Sequence, residues 1–147
     1  PMGYDIGNVI ANMIFAWANG DAAGAEDFCK WVEDVLVDVI NMTKEKMEKY
    51  YDEHVTDTMC RNELYKKYYM DTIIEDTSAV AGLELIRRIV GMANVKDITT
   101  IADEAKRARA EKICITAAID FIKNRSDKKC GKCFLKTLKD AIAEVDA

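Results

Sequence analysis

The sequence predicts an all-α fold, and three observations support that prediction. Apolar residues recur at spacings of three and four along most of the chain, which is the periodicity of one helix face. The 147 residues include a single proline, Pro1, and seven glycines, so few positions interrupt a helix. No segment alternates apolar and polar residues with β-branched enrichment, so we predict no strands. We expect one helical domain over residues 1–147, with about six helices.

Composition excludes several classes of function. Half of the residues are apolar and 32% are charged, as in folded domains that dissolve in water. The net charge is −5 and the sequence shows no basic stripe, so we expect no nucleic-acid partner. No apolar run approaches the roughly 18 residues of a membrane span, and a signal-peptide pattern is absent from the first residues. Five scattered cysteines favour a reduced, cytoplasmic protein.

The first two helices are predicted from their apolar faces. The first carries Ile6, Val9, Ile10, Met13, Ile14 and Trp17 on one face. Asp5 precedes this face as an N-cap would, and Gly20 follows it as a C-cap would. The second helix is expected from about Ala25 to about Lys49, with residues 52–58 as a polar loop. Its inward positions are Phe28, Val32, Val35, Leu36, Val39, Ile40 and Met47.

Four further helices are predicted along the rest of the chain. We expect them over about 61–74, 79–93 and 102–124, with the last one after a turn at 126–132. The capping side chains of residues 75–78 are expected to separate the third helix from the fourth. Residues 94–100 are expected to be a connector. The predicted inward residues are Leu64, Tyr65, Tyr68 and Ile73 in the third helix; Ala105, Ala108, Ile115, Ala118, Ile119 and Ile122 in the fifth; and Phe134, Leu135, Leu138, Ala141, Ile142 and Val145 in the sixth.

The fourth predicted helix holds the most informative residues. Apolar or small residues surround nearly all of AVAGLELIRRIVGMA, which favours a buried helix. Arg87 and Arg88 continue apolar stripes of this helix, so neither arginine is expected to have a solvated face. Buried guanidinium groups require anionic partners. One interpretation is that Glu84, three and four residues earlier, supplies that partner for one arginine, while the other reaches a different carboxylate or extends its long stem to the surface. The other is that both arginines face a cleft that binds a phosphate or a hydroxylated anion.

Two segments carry a resemblance to a known family. Ala81–Asn94, AGLELIRRIVGMAN, resembles the stretch around the paired arginines of 5-methylthioribose kinases. Pro1–Asn12, PMGYDIGNVIAN, resembles the segment that follows the metal-binding acidic motif of these kinases. The similarity extends weakly over residues 1–125. The family belongs to the protein-kinase-like phosphotransferases, alongside choline and aminoglycoside kinases, and phosphorylates the 1-hydroxyl of methylthioribose with ATP and Mg²⁺ in methionine salvage.

The resemblance implies roles for three residues. Arg87 and Arg88 match the arginine pair at the family's sugar site, so they are expected to bind substrate. Asp5 matches the aspartate of a glycine-aromatic-Asp-Ile-Gly motif, which braces the catalytic loop by accepting backbone N–H bonds. An N-cap role for Asp5 is the alternative, and the two roles are compatible. The resemblance also implies a helical C-lobe, a possible homodimer, and contact with the remainder of a kinase chain.

The sequence also departs from the family. The His-Gly-Asp catalytic loop, the Asp-x-Glu that holds Mg²⁺ and the glycine-rich phosphate loop do not occur in these residues. Phosphoryl transfer requires positioning, metal and base together. We therefore expect a C-terminal fragment, a cut domain or a truncated gene product that is inactive by itself and holds neither ATP nor Mg²⁺. No catalytic or metal-ligating residue is predicted within it.

Three other patterns have both functional and structural interpretations. Cys130 and Cys133 form a C-x-x-C, which could be half of a zinc site or a redox pair, but a plain reduced turn is the favoured interpretation. A tyrosine cluster could stack on a nucleobase, although helical packing with partly exposed rims is favoured; its members are Tyr50, Tyr51, Tyr65, Tyr68 and Tyr69. An acidic set on the second helix is interpreted as a solvated face rather than a metal site; its members are Glu33, Asp34 and Asp38.

The functional prediction has one alternative from another class and one from the same class. The favoured hypothesis is a part of an ATP-dependent methylthioribose kinase. A helical binding or regulatory module without enzymatic activity is the first alternative. A related kinase that acts on another small alcohol is the second, and a substrate panel would separate it from the favoured hypothesis.

Overall fold

Six α-helices form the part of the chain that the structure describes. The structure is a computed structural model that describes residues 2–147, so the first residue of the resemblance lies outside it. Residues 2–147 contain no strand, and the predicted all-α fold with about six helices is confirmed. The helices are α1 (Gly3–Ala23), α2 (Glu26–His54), α3 (Glu63–Ile89), α4 (Lys96–Thr99), α5 (Glu104–Lys123) and α6 (Gly131–Val145), and a 3₁₀ turn (Arg125–Asp127) precedes α6.

Helix α3 lies at the centre of the fold, between α1 and α5. A Cβ atom on Gly7 would lie only 2.7 Å from the Val80 side chain, so α1 approaches α3 closely because Gly7 lacks one. On the other side of α3, a Cβ atom on Gly82 would lie 2.7 Å from the Ala118 carbonyl oxygen of α5. Small residues therefore bring both neighbours against the same helix.

The predicted break at residues 75–78 is wrong, because α3 runs through it. Thr77 and Ser78 are fully buried, and their hydroxyl groups find partners without ending the helix. Thr77 donates to the Ile73 carbonyl of its own helix at 2.9 Å, and Ser78 donates to the Phe121 carbonyl of α5 at 2.8 Å. The helix count still matches, since α4 forms a separate turn inside the predicted connector.

The C-cap of α1 lies four residues beyond the predicted one. Gly20 stays helical and buried, and a Cβ atom there would lie 2.6 Å from the ring of Phe28. Gly24 is the actual C-cap, with φ of 73°, a left-handed conformation that glycine adopts without steric cost. Helix α2 also extends beyond its predicted end at Lys49 and ends at His54.

The core confirms some predicted faces and corrects others. The inward face of α6 is as predicted, with Phe134 and Leu138 fully buried. Helix α5 is rotated from the prediction, since Ala105 and Ala108 are exposed while Ile113 is fully buried. The fully or nearly buried residues of α5 are Ala110, Ile113, Cys114, Ala117, Ala118 and Phe121. None of the helices within residues 2–147 combines the length and hydropathy required to cross a bilayer.

Candidate functional site

Two of the three predicted site residues, Arg87 and Arg88, lie at the C-terminal end of α3, where both contact Glu84. The spacings of three and four place all three side chains on one side of the helix. Arg87 donates from Nε and Nη2 to the two carboxylate oxygens of Glu84, each at 2.8 Å. Arg88 Nε lies 3.4 Å from Glu84 Oε1. Glu84 is only 8% exposed, so the carboxylate is a nearly buried anchor for both guanidinium groups.

The two arginines nevertheless point to different surroundings. The Arg87 side chain is 57% exposed, so the prediction that it lacks a solvated face is wrong. The Arg88 side chain is 29% exposed and lines a cavity of about 230 Å³ between the end of α3, α4 and α5. The prediction of a helix buried nearly all round is also wrong, since Leu83 is 58% exposed and Val90 is 70% exposed.

Arg88 retains hydrogen-bonding capacity inside this cavity. Its Nη1 donates to the Ala93 carbonyl at 3.1 Å, whereas its Nε is buried and has no hydrogen-bond partner. Because Nε is buried 3.4 Å from Glu84 Oε1, any hydrogen bond from Arg88 to a ligand must come from its two terminal nitrogen atoms. The rest of the wall mixes charged, polar and apolar side chains; it consists of Ile89, Asn94, Ile98, Thr99, Arg107 and Glu111. This cavity can donate hydrogen bonds to an anionic or hydroxylated ligand.

Asp5 stands apart from the arginine pair. Helix α1 begins at Gly3 with Met2 as its N-cap, so the prediction of Asp5 as N-cap is wrong. The exposed Asp5 carboxylate instead lies in the first turn, where its negative charge interacts favourably with the positive end of the helix dipole. Helix α1 contacts α3 where Gly7 meets Val80. Arg87 lies seven residues beyond Val80, which is about 10 Å further along α3 at about 1.5 Å per residue. The structure does not bring Asp5 and the arginines together, and the bracing role of Asp5 stays a prediction.

Four of the five clustered tyrosines line a larger cavity at the opposite end of α3: Tyr50, Tyr51, Tyr65 and Tyr69. This cavity has a volume of about 670 Å³ and lies between α2, the following loop and the first turns of α3. The predicted inward orientation of Leu64, Tyr65 and Tyr68 is wrong, since these side chains are 80%, 42% and 64% exposed. The partly exposed aromatic rims agree with the favoured interpretation of the cluster. Apolar residues complete the wall of this cavity: Met2, Met47, Val55 and Met70.

The acidic set on α2 divides into one engaged residue and two exposed ones. Glu33 accepts a hydrogen bond from Trp17 Nε1 at 3.0 Å and from Lys139 Nζ at 2.5 Å. Asp34 and Asp38 are exposed, as a solvated face requires. Glu33 therefore ties α2 to α1 and α6, a role that its spacing alone did not indicate.

These features define an all-helical unit with a charged cluster at one end of its central helix. An all-α fold is the class that was predicted for part of a sugar kinase. No family model matches the chain. Methylthioribose kinase 1 of Oryza sativa subsp. japonica is 31% identical, over 85% of this chain and 33% of that protein. The methylthioribose kinase of Escherichia coli O45:K1 (strain S88 / ExPEC) is 27% identical, over 84% of this chain and 33% of that protein. That of Bacillus pumilus (strain SAFR-032) is 29% identical, over 84% and 30%.

The predicted resemblance to methylthioribose kinases is therefore confirmed. The chain spans about a third of the length of the curated relatives that it matches. This extent agrees with a C-terminal part of such a kinase.

Proposed function

We propose that this chain is part of an ATP-dependent kinase that phosphorylates 5-methylthioribose at its 1-hydroxyl, a step of methionine salvage. The similarity to methylthioribose kinases over about 85% of the chain carries this proposal. The arginine pair within the similar segment supplies the chemistry that a hydroxylated sugar, or its phosphorylated product, would require. In this proposal the chain acts in the cytoplasm.

Arg88 is the side chain best placed to contact the sugar. Its side chain is 29% exposed and lines the cavity at the end of α3. Arg87 is held by two hydrogen bonds to Glu84, so its guanidinium plane is fixed before any ligand arrives. We therefore assign Arg88 to direct sugar contact, and Arg87 to a fixed positive charge at the rim of the site.

Within residues 2–147, no three side chains of histidine, cysteine, aspartate or glutamate converge on a point where a metal could bind. In our proposal, Mg²⁺ and ATP are held by the remainder of the kinase chain, together with the catalytic base. Asp5 would support that part from the start of α1, and the isolated chain would have no kinase activity.

A substrate panel with the complete polypeptide that contains this chain tests the proposal. We expect ATP-dependent phosphorylation of 5-methylthioribose, with much lower kcat/KM for ribose and for unrelated small alcohols. Efficient phosphorylation of a different alcohol would instead identify a related kinase. Absence of phosphotransfer to every acceptor in the panel would favour a helical binding or regulatory module, and would contradict the proposal.

A further inference from the structure

Two thiols meet at the start of α6. Cys130 is the N-cap residue of α6 and Cys133 lies in the first turn, and their sulfur atoms are 3.1 Å apart. Both side chains are partly buried and both thiols are free. The proposed kinase function uses neither residue.

The backbone around these thiols is held in place by α2. The amide of Gly131 donates to Asn41 Oδ1 at 2.9 Å. A Cβ atom on Gly131 would lie 2.2 Å from the Val37 carbonyl oxygen, so this turn rests directly on the α2 backbone. The amide of Cys133 donates to the Cys130 carbonyl at 2.9 Å, which closes the turn. The fixed backbone therefore holds the two sulfur atoms close together, and formation of a bond between them requires only a small side-chain movement.

The surroundings of the pair favour a thiolate. Lys128 is 8% exposed and pairs with Asp120 at 2.5 Å, and Lys129 pairs with Glu75 at 2.6 Å. Burial of Cys133 opposes its ionisation, but hydrogen bonds from Cys130 and the backbone, with the charge of Lys128, hold the pKa of Cys133 below its usual range. A cysteine at a helix N-terminus beside lysine is the environment in which thiolates become nucleophilic.

A metal-binding explanation for the pair is not supported. A structural zinc site requires four ligands, and no third histidine, cysteine or carboxylate converges on this pair within residues 2–147. Cys29 and Cys114 are buried elsewhere, and burial raises the pKa of Cys114 to about 12. Cys60 lies alone at the tyrosine-lined cavity.

We propose that Cys130 and Cys133 are a reversible redox site, which a low-molecular-weight disulfide oxidises to a disulfide within the first turn of α6. The Cys133 thiolate attacks one sulfur of the small disulfide, which forms a mixed disulfide and releases one small thiolate. The Cys130 thiol then gives its proton to that thiolate and attacks Cys133 Sγ, and the second small thiolate leaves and takes a proton from water. Two protein thiols are oxidised, and one small disulfide is reduced to two thiols.

Oxidised glutathione and the full chain provide the test. The protein is equilibrated with mixtures of oxidised and reduced glutathione, quenched with acid, alkylated and weighed by mass spectrometry with peptide mapping. We expect Cys130 and Cys133 to lose two hydrogens together and to carry almost no glutathione. Cys60 is partly buried but has no cysteine neighbour, so it should carry the mixed disulfide and serve as an internal control.

The variant Cys130→Ser isolates the second step. It removes the resolving thiol, so Cys133 should retain its glutathione at a level at least about tenfold above that in the unmodified chain, because adjacent groups react with high effective concentration. Thermal melting should differ little between the oxidised and reduced forms, since the disulfide would close a very short loop. Reduced Cys130 and Cys133 in a sample whose Cys60 is fully glutathionylated would overturn the proposal. Equal glutathione on Cys133 with and without Cys130 would also overturn it.

Discussion

The two ends of α3 differ in how burial relates to residue type. At the first end, Leu64 is 80% exposed and Tyr68 is 64% exposed, although both are apolar or aromatic. At the other end, the charged Glu84 is only 8% exposed, because two arginines satisfy its carboxylate. One helix therefore presents an uncovered apolar surface and a buried ionic cluster. The exposure of a residue on α3 therefore depends on which helices pack against it and on whether its charge has a partner.

Two leucines on α3 provide the sharpest test of this comparison. Leu85 is fully buried beside Glu84, so Leu85→Ala should lower the free energy of unfolding by about 2–5 kcal/mol. Leu64→Ala, the same change at the exposed end, should alter it by less than about 0.5 kcal/mol. Urea denaturation followed by circular dichroism measures both values. A similar loss for both variants would mean that the first turns of α3 are covered in solution.

The buried carboxylate should account for the next largest effect. Glu84→Gln removes the charge that both arginines contact, and leaves two guanidinium groups without an anion at the end of α3. We expect a loss of about 2–3 kcal/mol in unfolding free energy, reduced from the value for a fully buried pair because Arg87 reaches water. Glu63→Gln, at the exposed start of the same helix, is the control and should cost less than about 1 kcal/mol. Equal losses would contradict the distinction between the two ends.

The arginines test function rather than stability. In the complete kinase that we propose, Arg87→Lys and Arg88→Lys keep the charge but lose the planar fork of donors. We expect kcat/KM for methylthioribose to fall by about 30-fold or more, equivalent to about 2 kcal/mol, with little change in ATP affinity. Lys66→Arg, at the other end of α3, should leave the kinetics unchanged.

A purely structural role for the pair gives a different result in the same assays. If Arg88 serves only as a partner of Glu84, Arg88→Ala and Glu84→Ala should destabilise the protein to a similar degree. The folded fraction would then phosphorylate the sugar at the normal rate. Normal sugar kinetics in both lysine variants would therefore show that these arginines do not belong to the substrate site.

Asp71 gives the smallest predicted effect, and one that depends on pH. Burial opposes its ionisation, but a hydrogen bond from Lys67 and the charges of Lys129 and Lys44 hold its pKa below the ordinary value of 3.8. A lowered pKa in the folded state stabilises the protein above the unfolded-state value, and that contribution disappears as the pH falls through the folded-state value. Asp71→Asn should cost about 1 kcal/mol at pH 7, and this cost should shrink as the pH falls below 3.8. A difference that grows with acidity would show the opposite sign and contradict this assignment.

Periodicity predicted the class of the fold but not every helix break. Residues 75–78 look like caps because serine, threonine and acidic side chains can bond to backbone groups. In the folded chain Thr77 bonds within its own helix and Ser78 bonds to α5, so neither ends α3. The second of these contacts depends on a residue more than forty positions away, which local sequence cannot indicate.

Helix α5 shows a different limit. Its alanines give similar hydropathy on several faces, so the buried stripe cannot be chosen from spacing alone. Ala105 is exposed and Ala117 is fully buried, although the two side chains are identical. The rotation of α5 is set instead by Gly82, which admits the Ala118 carbonyl, and by the large ring of Phe121.

The candidate site was predicted in residue type but not in arrangement. The sequence indicated that Arg87 and Arg88 require an anion and that Glu84 is within reach. It did not indicate that the two guanidinium groups diverge, because the cavity beside Arg88 is completed by Asn94 and Arg107 from later segments. Such a cavity depends on how α4 and α5 pack, which no local pattern encodes.

The enclosure of α3 between α1 and α5 has a consequence for hydrogen exchange. Around Gly82, helices touch α3 on both sides, and the fully buried Ala81 and Leu85 flank this position. Amide protons there are released to deuterium only when the whole packed unit opens, whereas the first turns of α3 exchange through local fraying. A single helix should therefore show slow amide exchange at its centre and progressively faster exchange towards the turns that carry the tyrosines.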